Sequence, residues 1–164
     1  MNTREARPPR RYAEWTEVAQ EQSQQELEKL LRRYGATEYA RGGRESHALV
    51  GFVIGGRQIR ILLPLPEERQ FRFDPAGRRR AAKQLSAAWE QEIRRRWRAL
   101  LLVVKAKPEA VASEISTIEE AFLPWVVLPN GQTMGEWAAP QIARAYEQGQ
   151  LPELLPGLPP AEER

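Results

Sequence analysis

One stretch limits what this chain can fold into more than any other: Arg78 to Lys107, RRRAAKQLSAAWEQEIRRRWRALLLVVKAK. Leu85, Trp89, Ile93, Trp97, Leu100 and Val104 recur at steps of three and four, which puts them on one stripe of an α-helix. A helix of that length, at about 1.5 Å per residue, spans roughly 45 Å, so it is expected to be the spine of a small domain. Ala99 to Val104 is apolar all round and must be covered by other elements. The same stretch carries ten Lys and Arg against two Glu. Arg94, Arg95 and Arg98 fall off the apolar stripe, and Arg96 lies at its margin.

The chain has 164 residues, 41% of them hydrophobic and five of them Trp, enough for one globular domain with its own core. It has no Cys, which excludes disulfides, thiolate nucleophiles and zinc–thiolate sites together. No apolar run approaches the ~18 residues of a membrane helix, and the charged N-terminus has no hydrophobic signal segment. No membrane partner and a cytoplasmic location are therefore expected. Charge is segregated: residues 109–164 hold two Arg against nine Glu. The 21 Arg and four Lys suit two-pronged contacts to phosphate, and they equally suit the composition of a GC-rich genome.

In chain order, residues 1–14 read as a flexible basic arm. Residues 15–149 read as a single domain, and 150–164 as a Pro-rich tail. Ser23 to Glu26 has the form of a capping box, opening a first helix through Tyr34 that Gly35 stops. Residues 14–22 are able to extend it. A strand is expected over Thr37–Arg41, then a loop through Ser46. Ala48–Ile54 and Arg57–Pro64 read as a hairpin on the Gly55-Gly56 turn, with Phe52 opposite Ile59 and Val50 opposite Ile61. Arg60 falls on the other face, opposite Gly51. Phe71–Phe73 is a candidate fourth strand. After the spine come a capping box at Ser116–Glu119, an extended Trp125–Leu128, and a further box at Thr133–Glu136. The last helix is expected to kink or split at Pro140. The fold class is α+β: an N-terminal helix, a three- to four-stranded antiparallel sheet, the long basic helix, and a small helical and extended C-terminal lobe.

Catalytic chemistry finds little to work with. His47 is the only His and Asp74 the only Asp. Glu45, Ser46 and His47 are adjacent and cannot converge as a triad. Neither Gly42-Gly43-Arg44 nor Gly55-Gly56-Arg57 continues as a phosphate loop. The chain is expected to be non-enzymatic, with no metal and no cofactor.

The positive signal is Arg78, Arg79, Arg80 and Lys83 at the start of the spine. Cations there oppose the helix dipole, a cost of a few tenths of a kcal/mol each that a bound phosphate relieves. The cluster either meets phosphate or pairs with the Glu-rich C-terminal lobe. The order helix, three strands, then a helix with a basic start is similar to that of the double-stranded RNA-binding domain. The spine is longer than that domain's second helix, and the C-terminal lobe has no counterpart there.

Four segments carry a closer resemblance: Arg33–Tyr39 (RYGATEY), Ile59–Pro66 (IRILLPLP), Trp97–Lys107 (WRALLLVVKAK) and Leu128–Trp137 (LPNGQTMGEW). Together they resemble a family of small uncharacterised proteins encoded by tailed phages and prophages, over residues 23–155. Pro108, where Leu is expected in such a family, is expected to shorten the spine. The resemblance implies an early, non-structural gene acting in a bacterial cytoplasm, in phage DNA metabolism or against a host system. It brings no site residues. Two functions follow as expectations. One is a nucleic-acid-binding accessory using Arg78, Arg79, Arg80, Lys83, Arg94, Arg95 and Arg98. The other is a protein-binding inhibitor of a host or defence factor, or a protein that sequesters an anionic nucleotide. Five Trp and an apolar hairpin face leave a homodimer open.

Overall fold

The computed structural model of the chain describes the backbone of residues 11–44 and 46–149 and the side chains of 21–44 and 46–149. The expected tail at 150–164 and the first ten residues of the expected arm lie outside the described residues. Helix α1 spans Arg11–Arg33, and strands β1 (Thr37–Arg44), β2 (His47–Ile54) and β3 (Arg57–Pro64) follow. Helix α2 spans Ala82–Ala112, α3 spans Ile118–Phe122 and α4 spans Met134–Glu147. Short 3-10 turns lie at Glu68–Phe71 and Leu123–Trp125.

The sheet is antiparallel in the order β1-β2-β3. Phe52 pairs with Ile59, Val50 with Ile61 and Gly51 with Arg60. Strand β2 alternates buried and half-buried positions along its length, because one face meets the helices and the other stays partly open. Leu27 and Leu31 from α1 join Ile93, Trp97, Leu100, Leu101 and Val104 from α2 over Val50, Phe52, Ile54, Ile59 and Ile61. Trp89 is only half-buried at the edge of this core. Arg60 on the open face reaches the C-terminal segment, donating to the Gly131 carbonyl at 2.8 Å and to Glu136 at 3.1 Å.

Several boundaries differ from the sequence expectation. Helix α1 begins at Arg11, so residues 11–14 belong to it and the Ser23 box lies mid-helix. The Glu/Gln/Ala-rich run has high helix propensity and carries the helix through residues that elsewhere would cap it. Strand β1 runs to Arg44, three residues into the expected loop. Phe71–Phe73 forms a 3-10 end and a single bridge from Phe73 to Arg79 instead of a fourth strand. Arg78, Arg79 and Arg80 precede α2 rather than open it, and α2 passes through Pro108 to Ala112. A proline ring inside a helix costs about 3 kcal/mol. Pro108 is buried, and it shares an apolar recess with Ile54, Ile118 and Phe122, so packing offsets that cost. The cap of α3 is Thr117 with Glu120, one residue later than the expected box. Helix α4 is continuous across Pro140.

The β1–β2 turn depends on a bare backbone. A Cβ on Gly43 would sit 2.7 Å from the His47 carbonyl oxygen, whereas one on Gly42 would meet nothing within 4 Å. Gly43→Ala is expected to lower stability by about 1–3 kcal/mol through overpacking, and Gly42→Ala by much less. Urea midpoints of the two variants test this, and equal shifts would contradict it.

Candidate nucleic-acid interface

The segment between β3 and α2 is held by its own side chains. The Asp74 carboxylate accepts the Ala76 and Arg78 backbone N–H groups at 2.9 Å each, and the Arg78 Nε at 2.9 Å. Donation from the Arg78 backbone is the main cause that lowers the Asp74 pKa. Arg80 is half-buried and donates from one guanidinium nitrogen to the Phe71 and Phe73 carbonyls, at 2.9 and 2.5 Å. It staples the loop and is turned away from the role expected of it at a phosphate. The Arg78 side chain stays 81% exposed despite its ion pair. Arg79 and Lys83 are exposed and have no carboxylate partner among the described residues.

Helix α2 then carries a line of cations. Lys83, Arg94, Arg98 and Lys105 are separated by eleven, four and seven residues, close to whole turns at 3.6 residues per turn. They share one stripe, and Lys83 to Arg98 covers about 22 Å of it. Arg98 and Lys105 are exposed. Arg94 is half-buried and faces Glu90 at 3.6 Å. Arg95 lies to one side, clamped on Glu92 by two bonds of 2.7 Å, while Arg96 binds Glu92 at 3.0 Å and the Pro64 carbonyl at 2.7 Å. The Arg95 hydrogen bonds, then those of Arg96, hold the Glu92 carboxyl down at about 2, from an ordinary 4.5. A carboxyl lowered in this way adds stability above pH 4.5 that is lost as pH falls toward 2.

Three acidic residues of the C-terminal lobe are engaged elsewhere. Glu119 pairs with Arg57 at 3.5 Å. Glu120 accepts the Thr117 N–H at 2.8 Å and caps α3. Glu136 accepts the Thr133 N–H at 2.7 Å and meets Arg60. Among the described residues, none of them reaches Arg78, Arg79, Lys83 or Arg98. The N-cap of α2 is Ala81, which offers no side-chain acceptor, so first-turn N–H groups remain open beside Arg79 and Lys83.

No family model matches this chain, and no curated protein or solved structure does either. The segments Arg33–Tyr39, Ile59–Pro66, Trp97–Lys107 and Leu128–Trp137 fall on the α1–β1 turn, on β3, on the second half of α2 and on the turn into α4. The third of them carries Arg98 and Lys105 of the cationic stripe, and Arg78, Arg79, Lys83 and Arg94 lie outside all four. Lys105 was not singled out as a site residue in the sequence, although its seven-residue step from Arg98 places it on the same line. Among the described residues no helix is long and apolar enough to cross a membrane, and no group of three or more His, Asp or Glu is placed to hold a metal ion.

Proposed function

We propose that the protein is a non-enzymatic accessory that binds nucleic acid along α2, with Arg78, Arg79, Lys83, Arg94 and Arg98 meeting phosphates. It would act in a bacterial cytoplasm, in the context that the phage resemblance implies. The observation that carries this is the separation of charge. Glu119, Glu120 and Glu136 are spent on helix caps and on Arg57 and Arg60, and Arg79, Lys83 and Arg98 have no carboxylate partner among the described residues. A duplex presents about one charge per 1.7 Å of axis, so a 22 Å cationic line spans several phosphates. Arg80 drops out because its guanidinium holds the loop, and Arg95 contributes only when it leaves Glu92.

Gel-shift titration on random-sequence duplex at two salt concentrations tests the proposal. Affinity should fall log-linearly with salt. Replacing Arg79, Lys83 and Arg98 together with Ala should weaken all sequences alike and reduce the slope by up to about 2.7. The three side chains are exposed, so the fold should survive. Glu92→Gln should act in the opposite direction, unclamping Arg95 and steepening the slope by up to about 0.9. Absence of wild-type binding at about 50 mM salt sinks the nucleic-acid reading.

A second reading has its own observation. On α4, Trp137, Ile142 and Tyr146 are 48%, 56% and 65% exposed, a set suited to a protein partner or a second copy. In that case Trp137→Ala, rather than the loss of cations, would abolish binding.

A further inference from the structure

The β1–β2 turn, the end of β3, the Glu68–Phe71 turn and the first turns of α2 enclose a recess of about 950 Å³. That is the size range of small-molecule sites. Its apolar wall is Leu65, Pro66, Trp89 and Ile93. The Trp89 indole N–H donates to the Pro66 carbonyl at 2.7 Å, so the ring is fixed before any ligand arrives. The Leu65 N–H donates to the Ser46 carbonyl at 2.9 Å and ties the β1–β2 turn over the opening. That turn places Arg44 on the rim, exposed and without a carboxylate partner among the described residues.

The other charges on the rim are partly spoken for. Glu67 and Arg69 pair with each other, and Glu68 accepts the Ser86 hydroxyl at 3.1 Å. What remains among the described residues is a fixed indole, a guanidinium on Arg44 without a carboxylate partner, and a Glu68 carboxylate able to accept a further N–H. A flat ring with a donor edge and an attached anion complements that set, since an indole stacks a base and Arg grips phosphate. A smaller recess of about 260 Å³ continues past Arg44 and Leu65 toward His47, Arg41 and Trp97. The buried Trp97 indole N–H has no hydrogen-bond partner among the described residues.

We propose that the recess between Trp89 and the β1–β2 turn takes one nucleotide, with its base against the Trp89 indole and its phosphate on Arg44, drawn from a free mononucleotide or from a strand end. The site needs none of Arg79, Lys83 or Arg98, so it goes beyond the duplex-binding reading and is testable apart from it.

Calorimetric titration of the full chain with AMP, GMP, CMP and UMP, and with inorganic phosphate, makes the test. At least one mononucleotide should bind with one site per chain, and phosphate alone at least ~10-fold more weakly, because stacking is lost. Arg44→Gln should weaken the nucleotide by ~10-fold or more, as expected for loss of a charged hydrogen bond. Trp89→Leu should weaken it on a similar scale. Trp89→Phe keeps a ring and should retain most of the affinity, which covers the case in which the Leu variant does not fold. A 5′-phosphorylated single strand that displaces the mononucleotide identifies a strand end as the source, and one that does not identifies the free nucleotide. No mononucleotide binding, phosphate binding as tightly as nucleotide, or unchanged affinity in Arg44→Gln would each overturn the assignment. Duplex retention by α2 stands or falls separately.

Discussion

Trp97→Ala is expected to unfold the domain near room temperature. Trp97 is 3% exposed and belongs to the core cluster that α1, α2 and the sheet build together, beside Ala48 and Leu65. Truncating a buried aromatic of this kind costs about 3–5 kcal/mol in transfer and cavity terms, against a total stability of about 5–15 kcal/mol. The unpartnered indole N–H reduces what the native side chain contributes by about 1–3 kcal/mol. For that reason Trp97→Phe, which removes the polar atom and keeps a ring, should cost far less than the Ala variant. Thermal melts by circular dichroism decide it. A Trp97→Ala chain melting within a few degrees of the parent would mean that the spine stripe is not the core.

That stripe was legible because a period of 3.6 leaves little choice of face: every residue from Ile93 to Val104 that recurs at three and four is buried. The β2–β3 register was equally legible, since a two-residue turn at Gly55-Gly56 allows only one pairing once one face must be apolar. Helix ends were less so. Ser23 and Glu26 have the residues of a cap, yet nothing local stops the helix before Arg11, and the cap chemistry goes unused. Pro108 is expected from the sequence to shorten the spine; its cost is local, while the packing that offsets it comes from β2, α3 and Tyr34 after α1, some of it distant in the chain. The candidate site was legible as composition and not as roles. Adjacent Arg78, Arg79 and Arg80 look alike in sequence, but the loop fold gives them an ion pair, free solvent and two carbonyls respectively. Gly42-Gly43-Arg44 fails as a phosphate loop in sequence, and the recess that Arg44 borders is invisible there because Trp89 and Leu65 arrive from other parts of the chain.

Phe122→Ala is expected to be as damaging as Trp97→Ala, and for a different reason. The C-terminal segment meets the sheet through Arg60 on Gly131 and Glu136, Arg57 on Glu119, a bridge from Val126 to Ile59, and the Val127 N–H on the Gln58 carbonyl at 2.8 Å. Helix α4 buries none of its own residues and rests on the Leu123–Trp125 turn, where a Cβ on Gly135 would come within 2.8 Å of the Pro124 carbonyl oxygen. Phe122 is the fixed point, 0% exposed and edge-on to Phe52 at 5.7 Å. Lys107 covers it: its ammonium lies 4.6 Å from the Trp125 ring centre and donates to the Ala121 carbonyl at 2.5 Å. Burial lowers the Lys107 pKa, so high pH releases this cover earlier than it would an exposed lysine. Removing the Phe122 ring should cost about 3–5 kcal/mol and expose the chain beyond α2 to protease before the rest unfolds. Trp137→Ala, at a half-exposed ring on α4, should stay within about 0.5 kcal/mol. Limited proteolysis beside urea titration of both variants reads the difference. Equal losses would mean that α4, and not Phe122, anchors the C-terminal segment.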